Sequence, residues 1–109
     1  MARSYEQGDC PVARSLEVIG ERWAVLILRD LFLKGPRRFQ DFQESLAVVA
    51  PNTLSARLKG LEAAGMIERR LYSEHPPRLE YHLTEKGRSF GPVLKALRDW
   101  GRRYAGRAG

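Results

Sequence analysis

The spacing of apolar residues changes period along this chain, and that change constrains the fold more than any other feature of the sequence. Phe39, Phe42 and Leu46 recur at i, i+3 and i+7, which predicts a short amphipathic helix over about residues 39–47. Val48, Val49 and Ala50 make a tight apolar turn. Pro51 opens a second helix, which carries Leu54, Leu58 and Leu61 on one stripe and closes at Gly65. Two short helices joined in this way form a helix-turn-helix. The period then falls to two. Ile67 and Leu71, and after them Leu79, Tyr81 and Leu83, alternate with charged or polar neighbours, so two strands are predicted. Ser73-Glu74-His75-Pro76-Pro77-Arg78 lies between them as a proline-stiffened hairpin tip.

Helices flank this unit on both sides. Pro11 opens one that carries Val12, Leu16 and Ile19 and ends near Gly20. The next runs from Glu21 to Lys34 with Trp23, Leu26, Ile27, Leu31 and Leu33 apolar on most sides, which marks it as the central buried helix, and Gly35-Pro36 ends it. Thr84 is a good N-cap for a single last helix bearing Phe90, Val93, Leu94, Leu97, Trp100 and Tyr104. The predicted fold is mainly α with a small β-hairpin: a winged helix-turn-helix in one domain over 1–109. The helix-turn-helix covers about 39–65, the wing about 66–83, and dimerisation helices about 11–19 and 84–105. A length of 109 residues leaves no room for a second catalytic domain.

Charge points toward a polyanion. Residues 1–50 hold 7 basic and 7 acidic side chains, whereas residues 51–109 hold 12 basic and 6 acidic, so the whole net charge of +6 sits in the second half. Nucleic acid is the first partner this implies, a membrane surface the second and a plain solubility surface the alternative. With Leu54, Leu58 and Leu61 turned inward at about 100° per residue, the helix after Pro51 presents Asn52, Thr53, Ala56, Lys59 and Gly60 outward, with Ser55 and Arg57 on its flanks. This face is small, polar and basic, as entry into a major groove requires, and Asn52 and Thr53 lie at the end that meets bases. A solvated helix face is the plainer reading of this stripe alone; the hairpin and the charge asymmetry favour DNA. In the hairpin, Arg78 flanks the tip, His75 sits near its apex, and Arg69 and Arg70 point to opposite faces, with Arg70 expected toward solvent. Lys34, Arg37 and Arg38 precede the helix-turn-helix and are placed to hold the backbone.

The last helix ends in two large aromatics that so small a domain cannot easily cover. A symmetric homodimer is therefore expected through Val12 and Leu16 of the first helix and Leu94, Leu97, Trp100 and Tyr104 of the last. Its recognition helices would meet a pseudo-palindromic site. Cys10, the single cysteine, excludes an internal disulfide framework and sits at the N-cap of the first helix. Partial positive charge there and Arg14 one turn on favour a thiolate, which makes Cys10 a candidate redox or electrophile sensor, while Asp9 opposes this. A passive small hydrophobe is the ordinary role for such a residue. Arg3, Glu6 and Asp9 leave no apolar stretch of the length a secretory signal needs, and Ala24–Leu28 falls far short of a membrane span, so a cytoplasmic protein with no membrane partner is expected. No phosphate-cradling glycine loop is present, and His75, His82 and one cysteine make no standard zinc set, so no cofactor, metal or enzymatic activity is expected. The alternative to DNA binding is a winged helix used only for protein contact.

The sequence resembles the HxlR-type winged helix-turn-helix transcriptional regulators of bacteria and archaea. The resemblance rests on Cys10-Pro11-Val12, Gly20-Glu21-Arg22-Trp23, Leu28-Arg29-Asp30-Leu31 and Gly35-Pro36-Arg37-Arg38-Phe39. It continues through Leu54-Ser55-Ala56-Arg57-Leu58, the run Leu61 to Arg69, Pro76-Pro77-Arg78-Leu79-Glu80-Tyr81 and Leu83-Thr84-Glu85-Lys86-Gly87. It spans about Cys10 to Tyr104 in one register. The resemblance implies a cytoplasmic homodimer on operator DNA, a recognition helix at about 51–64, a wing at about 72–79, and in some members a small-molecule effector or oxidant sensed at the cysteine matching Cys10. Two departures stand out. Ala50 replaces the usual Ser or Thr cap of the recognition helix, at a cost of about 1 kcal/mol. The second cysteine of members that form intersubunit disulfides is absent, so a bridge is possible only between two copies of Cys10, and alkylation is the other route.

Overall fold

The computed structural model describes residues 10–106, so Arg3, Glu6 and Asp9 lie outside the described residues. Helices α1 (Pro11–Ile19), α2 (Arg22–Lys34), α3 (Phe39–Ser45) and α4 (Pro51–Ala63) lead into an antiparallel hairpin of β1 (Ile67–Glu74) and β2 (Pro77–Leu83). Helices α5 (Glu85–Arg88) and α6 (Gly91–Tyr104) follow. The arrangement is a winged helix-turn-helix.

Helix α2 is the central element. The Glu21 carboxylate caps it by accepting the Trp23 and Ala24 N–H groups at 2.8 and 3.1 Å, and Gly35 ends it at φ 79° while its N–H donates to Leu31 O. Ala24, Ile27, Leu28 and Leu31 are buried against Phe42 and Leu46 of the α3 region, Leu54, Leu58 and Leu61 of α4, and Met66 and Ile67 at the start of the wing. Leu33, expected inside, is 71% exposed because α2 is covered on fewer sides than its composition suggests. In the turn before α4, Val49 enters the core and Val48 faces out.

The wing is pinned at its base. The register pairs Ile67 with Leu83, Arg69 with Tyr81 and Leu71 with Leu79, with a slip between Leu71 and Ser73. Arg37 and Tyr81 exchange backbone hydrogen bonds of 3.1 and 2.6 Å, which adds a short third arm from the segment entering α3. Leu71 and Leu79 keep the predicted alternation but are exposed, because the hairpin extends past the core. At its foot, Gly65 takes φ 77° and Thr84 Oγ1 donates to Gly65 O at 2.5 Å.

The last helix is two helices. Thr84 caps α5 as expected by accepting the Gly87 N–H at 3.0 Å, but Ser89 and Phe90 form a turn and Pro92 restarts the chain as α6. Proline lacks the N–H that an uninterrupted helix would need there and suits a first turn instead. Gly91 lies against Phe32, where a Cβ would meet the ring at 3.2 Å.

Candidate nucleic-acid interface

Helix α4 starts without a side-chain cap. Ala50 is extended at φ −67°, ψ 145°, its carbonyl accepts the Leu54 N–H at 2.9 Å, and Pro51 fills the first helical position. The early N–H groups of the helix therefore find no side-chain acceptor at Ala50, an arrangement that suits an external phosphate. Leu54, Leu58 and Leu61 are all buried to within 2%. On the far side, Asn52, Ala56, Lys59 and Gly60 are exposed, while Thr53, Ser55 and Arg57 are half-buried on the flanks. Nothing else in the described chain covers the polar face.

A second polar surface lies between the start of α3 and the wing. Arg38, Gln40, Gln43, Tyr72 and Arg78, together with Phe39 and Leu79, line a groove of about 430 Å³. The Arg38 backbone N–H donates to Asp41 Oδ2 at 2.9 Å, and its guanidinium donates to Oδ2 and Oδ1 at 3.2 and 3.0 Å. These bonds from Arg38 hold the Asp41 carboxyl down to about 2, and they raise the Arg38 pKa above its ordinary value with further help from Tyr72. The cation at the groove mouth is thus permanent and held in place at the N-terminus of α3. Arg78 and His75 are exposed at the wing tip. Sequence reasoning reached Arg38 and Arg78 but missed Gln40, Gln43 and Tyr72. The signal available was their spacing: Gln40 and Gln43 sit at i, i+3 on the side of α3 away from Phe42.

Other basic residues are committed elsewhere. The Arg37 side chain donates to Asp41 O at 2.9 Å and lies 6.0 Å from the centre of the Phe42 ring, so it is held on α3, while its backbone pairs with Tyr81 of the wing. Arg69 pairs with Glu62 at 3.1 Å and Arg70 with Glu68, and both arginines are exposed, not Arg70 alone. Arg57, expected beside the DNA face, turns toward α2, and its Nε lies 3.8 Å from Glu21 Oε1. His82 Nε2 lies 2.9 Å from Glu80 Oε2. Among the described residues no group of three His, Cys, Asp or Glu is placed to hold a metal, and no helix is long and apolar enough to cross a membrane.

The terminal helices carry exposed apolar faces. Val12 and Leu16 on α1 and Leu97, Trp100 and Tyr104 on α6 are between 48% and 68% exposed, and the Trp100 and Tyr104 rings lie 5.5 Å apart. Leu94 is half-buried and packs on the core of its own chain, where the first turns of α6 lie against α2. Cys10 is the N-cap residue of α1, half-buried, and its carbonyl accepts the Arg14 N–H at 2.9 Å.

The family model described as HxlR-like helix-turn-helix matches residues 18–108. The uncharacterised HTH-type transcriptional regulator YdeP of Bacillus subtilis (strain 168) is 38% identical over 98 residues, covering 90% of this chain and 76% of YdeP. The uncharacterised HTH-type transcriptional regulator sll1512 of Synechocystis is 41% identical over 98 residues, covering 89% of this chain and 72% of its own. Among solved structures, the redox regulator HypR in its oxidised form matches with a TM-score of 0.81 and 33% identity, over 92% of this chain and 100% of that one. The reduced form of the transcriptional regulator YodB from B. subtilis matches with a TM-score of 0.77 and 32% identity, over 92% of this chain and 98% of that one.

Proposed function

The chain belongs to the HxlR-like helix-turn-helix family, and from that premise we propose that it is a homodimeric, sequence-specific transcriptional regulator that binds a pseudo-palindromic DNA operator in the cytoplasm. The observation that carries this reading is the open outer side of α4, where Asn52, Ala56 and Lys59 are exposed above a fully buried leucine stripe. Asn52 and Thr53 read base edges, Ser55, Ala56 and Lys59 follow the groove, and the uncapped helix start receives a phosphate. Arg38 and Arg78 hold the backbone beside the groove they line, with His75 at the wing tip. Arg57 is left out of this set because its guanidinium faces α2.

The exposed faces of α1 and α6 form the dimer, through Val12, Leu16, Leu97, Trp100 and Tyr104. The chain works by binding and performs no catalysis. Its DNA affinity is controlled by a small molecule or by oxidation or alkylation of Cys10, a reading supported by its place at a helix N-terminus and by the likeness to the redox regulator HypR. Selection of bound duplexes from a random pool tests the whole reading. The expected product is an inverted repeat with half-sites about 10 base pairs, or a multiple, apart. Equal recovery of every duplex overturns it.

A further inference from the structure

A cleft of about 410 Å³ opens on the flank of α4 beside Leu61, between α4 and the junction of α1 with α2. Its walls are aliphatic: Leu16 and Val18 from α1, Ala24 from α2, Leu61 and Ala64 from the α4 side. One wall has a gap at Gly60, where an added Cβ would meet nothing within 4 Å. Two charged groups stand side by side at the cleft. Arg57 Nε is buried and makes no hydrogen bond, and it lies 3.8 Å from Glu21 Oε1, too far for one. Glu21 Oε1 is itself held in position by the Trp23 and Ala24 N–H groups. The Arg57 side chain as a whole is 40% exposed and lines the cleft beside that carboxylate.

We propose that this cleft is an effector site for a small uncharged planar ring bearing a carboxamide or lactam edge. Such an edge offers a carbonyl beside an N–H. The carbonyl accepts from the Arg57 guanidinium, the N–H donates to the Glu21 carboxylate, and the ring fills the aliphatic space, which is the size of ordinary small-molecule sites. Charge selects against the closest competitor. Glu17 and Glu21 both line the cleft against the single cation Arg57, so a carboxylate of the same shape meets net negative charge. An occupant touches α1, which belongs to the proposed dimer face through Leu16, and α4, which meets DNA. Its consequence for regulation therefore rests on the DNA-binding reading; its binding to the chain does not.

The test is a titration of the DNA-free, 15N-labelled full chain with benzamide and with benzoate, which differ in charge but hardly in shape. Benzamide is expected to give saturable shifts of the Gly60 and Ala64 amides, with benzoate weaker by about tenfold or more. Arg57→Met removes the donor, and Gly60→Leu fills the gap without touching either charged group; each is expected to weaken benzamide by about tenfold or more. No saturable shift, equal affinity for the two probes, or full benzamide affinity in either variant overturns the proposal. Because DNA is absent from the measurement, a failed operator selection leaves this result standing, and the reverse holds.

Discussion

The Asp30 carboxylate, 2% exposed, accepts the Ser45 hydroxyl and lies 3.0 Å from Arg29 Nη2. It is the buried charge of the described chain, and it latches the end of α3 to α2. Ser45→Ala leaves that carboxylate buried with one donor fewer. The expected cost is about 1.5–3 kcal/mol, as for hydrogen bonds to charged groups. Urea unfolding checks it: the midpoint falls while the slope stays constant. An unchanged midpoint would show that the latch contributes nothing.

Asp41 caps α3 through Arg38, and its pH dependence follows from the sign of its shift. The folded carboxyl is held at about 2 against an ordinary 3.8. A depressed pKa means that the stabilisation is fully present above the ordinary value and is lost as pH falls through the folded one. Asp41→Asn is therefore expected to be less stable than the parent at neutral pH, with the gap closing between about pH 4 and pH 2. Thermal unfolding across that range reads it, and a gap of constant size contradicts the ion pair as its cause.

Much of this molecule was legible from spacing. The leucine stripe of α4, the turn to a period of two at Ile67 and the Thr84 cap all emerge in the structure as read, because each depends on neighbours close in sequence. What sequence could not supply was long-range. The break at Ser89 and Phe90 is the exception, since Pro92 marks in the sequence where α6 starts afresh. Leu33 reads as part of the central buried helix and is exposed, since nothing in its local spacing says which neighbouring elements will arrive to cover it. Arg57 sits on the expected flank, but that its guanidinium turns to Glu21, 36 positions earlier, depends on how α2 crosses α4.

Dimerisation is expected to hang on the aromatic end of α6. Trp100 is 63% exposed, so Trp100→Glu disturbs little within the chain while placing a charge where a large apolar side chain would be covered by the partner. Sedimentation is expected to give twice 12.4 kDa for the parent and 12.4 kDa for the variant, with unchanged circular dichroism. A monomeric parent removes the dimer from the proposal.

Salt separates the DNA residues by role. Lys59 and Arg78, as phosphate ligands, are each expected to contribute about 0.9 to the slope of log K against log salt. Lys59→Ala and Arg78→Ala should each flatten the line by about that amount and weaken all duplexes alike. Asn52→Ala should leave the slope alone and relax the preference at one base position. If Asn52→Ala changes only the slope, α4 does not read bases from its N-terminus.

Cys10 offers the sharpest test of control. It is the N-cap residue of α1, the helix whose exposed Val12 and Leu16 belong to the proposed dimer face. In the proposed dimer, oxidation would join the two Cys10 thiols into a disulfide with loss of two electrons and two protons to the oxidant, whereas a quinone would add to one sulfur. In the proposed dimer either change would act on the dimer face first and reach DNA through the spacing of the two α4 helices. Treatment of the parent with p-benzoquinone is therefore expected to change operator affinity by about tenfold, within the usual range of coupling between sites. Cys10→Ser should bind the untreated operator as the parent does and lose the response. Full retention of the response in Cys10→Ser would move control away from the thiol and toward the cleft between α1 and α4.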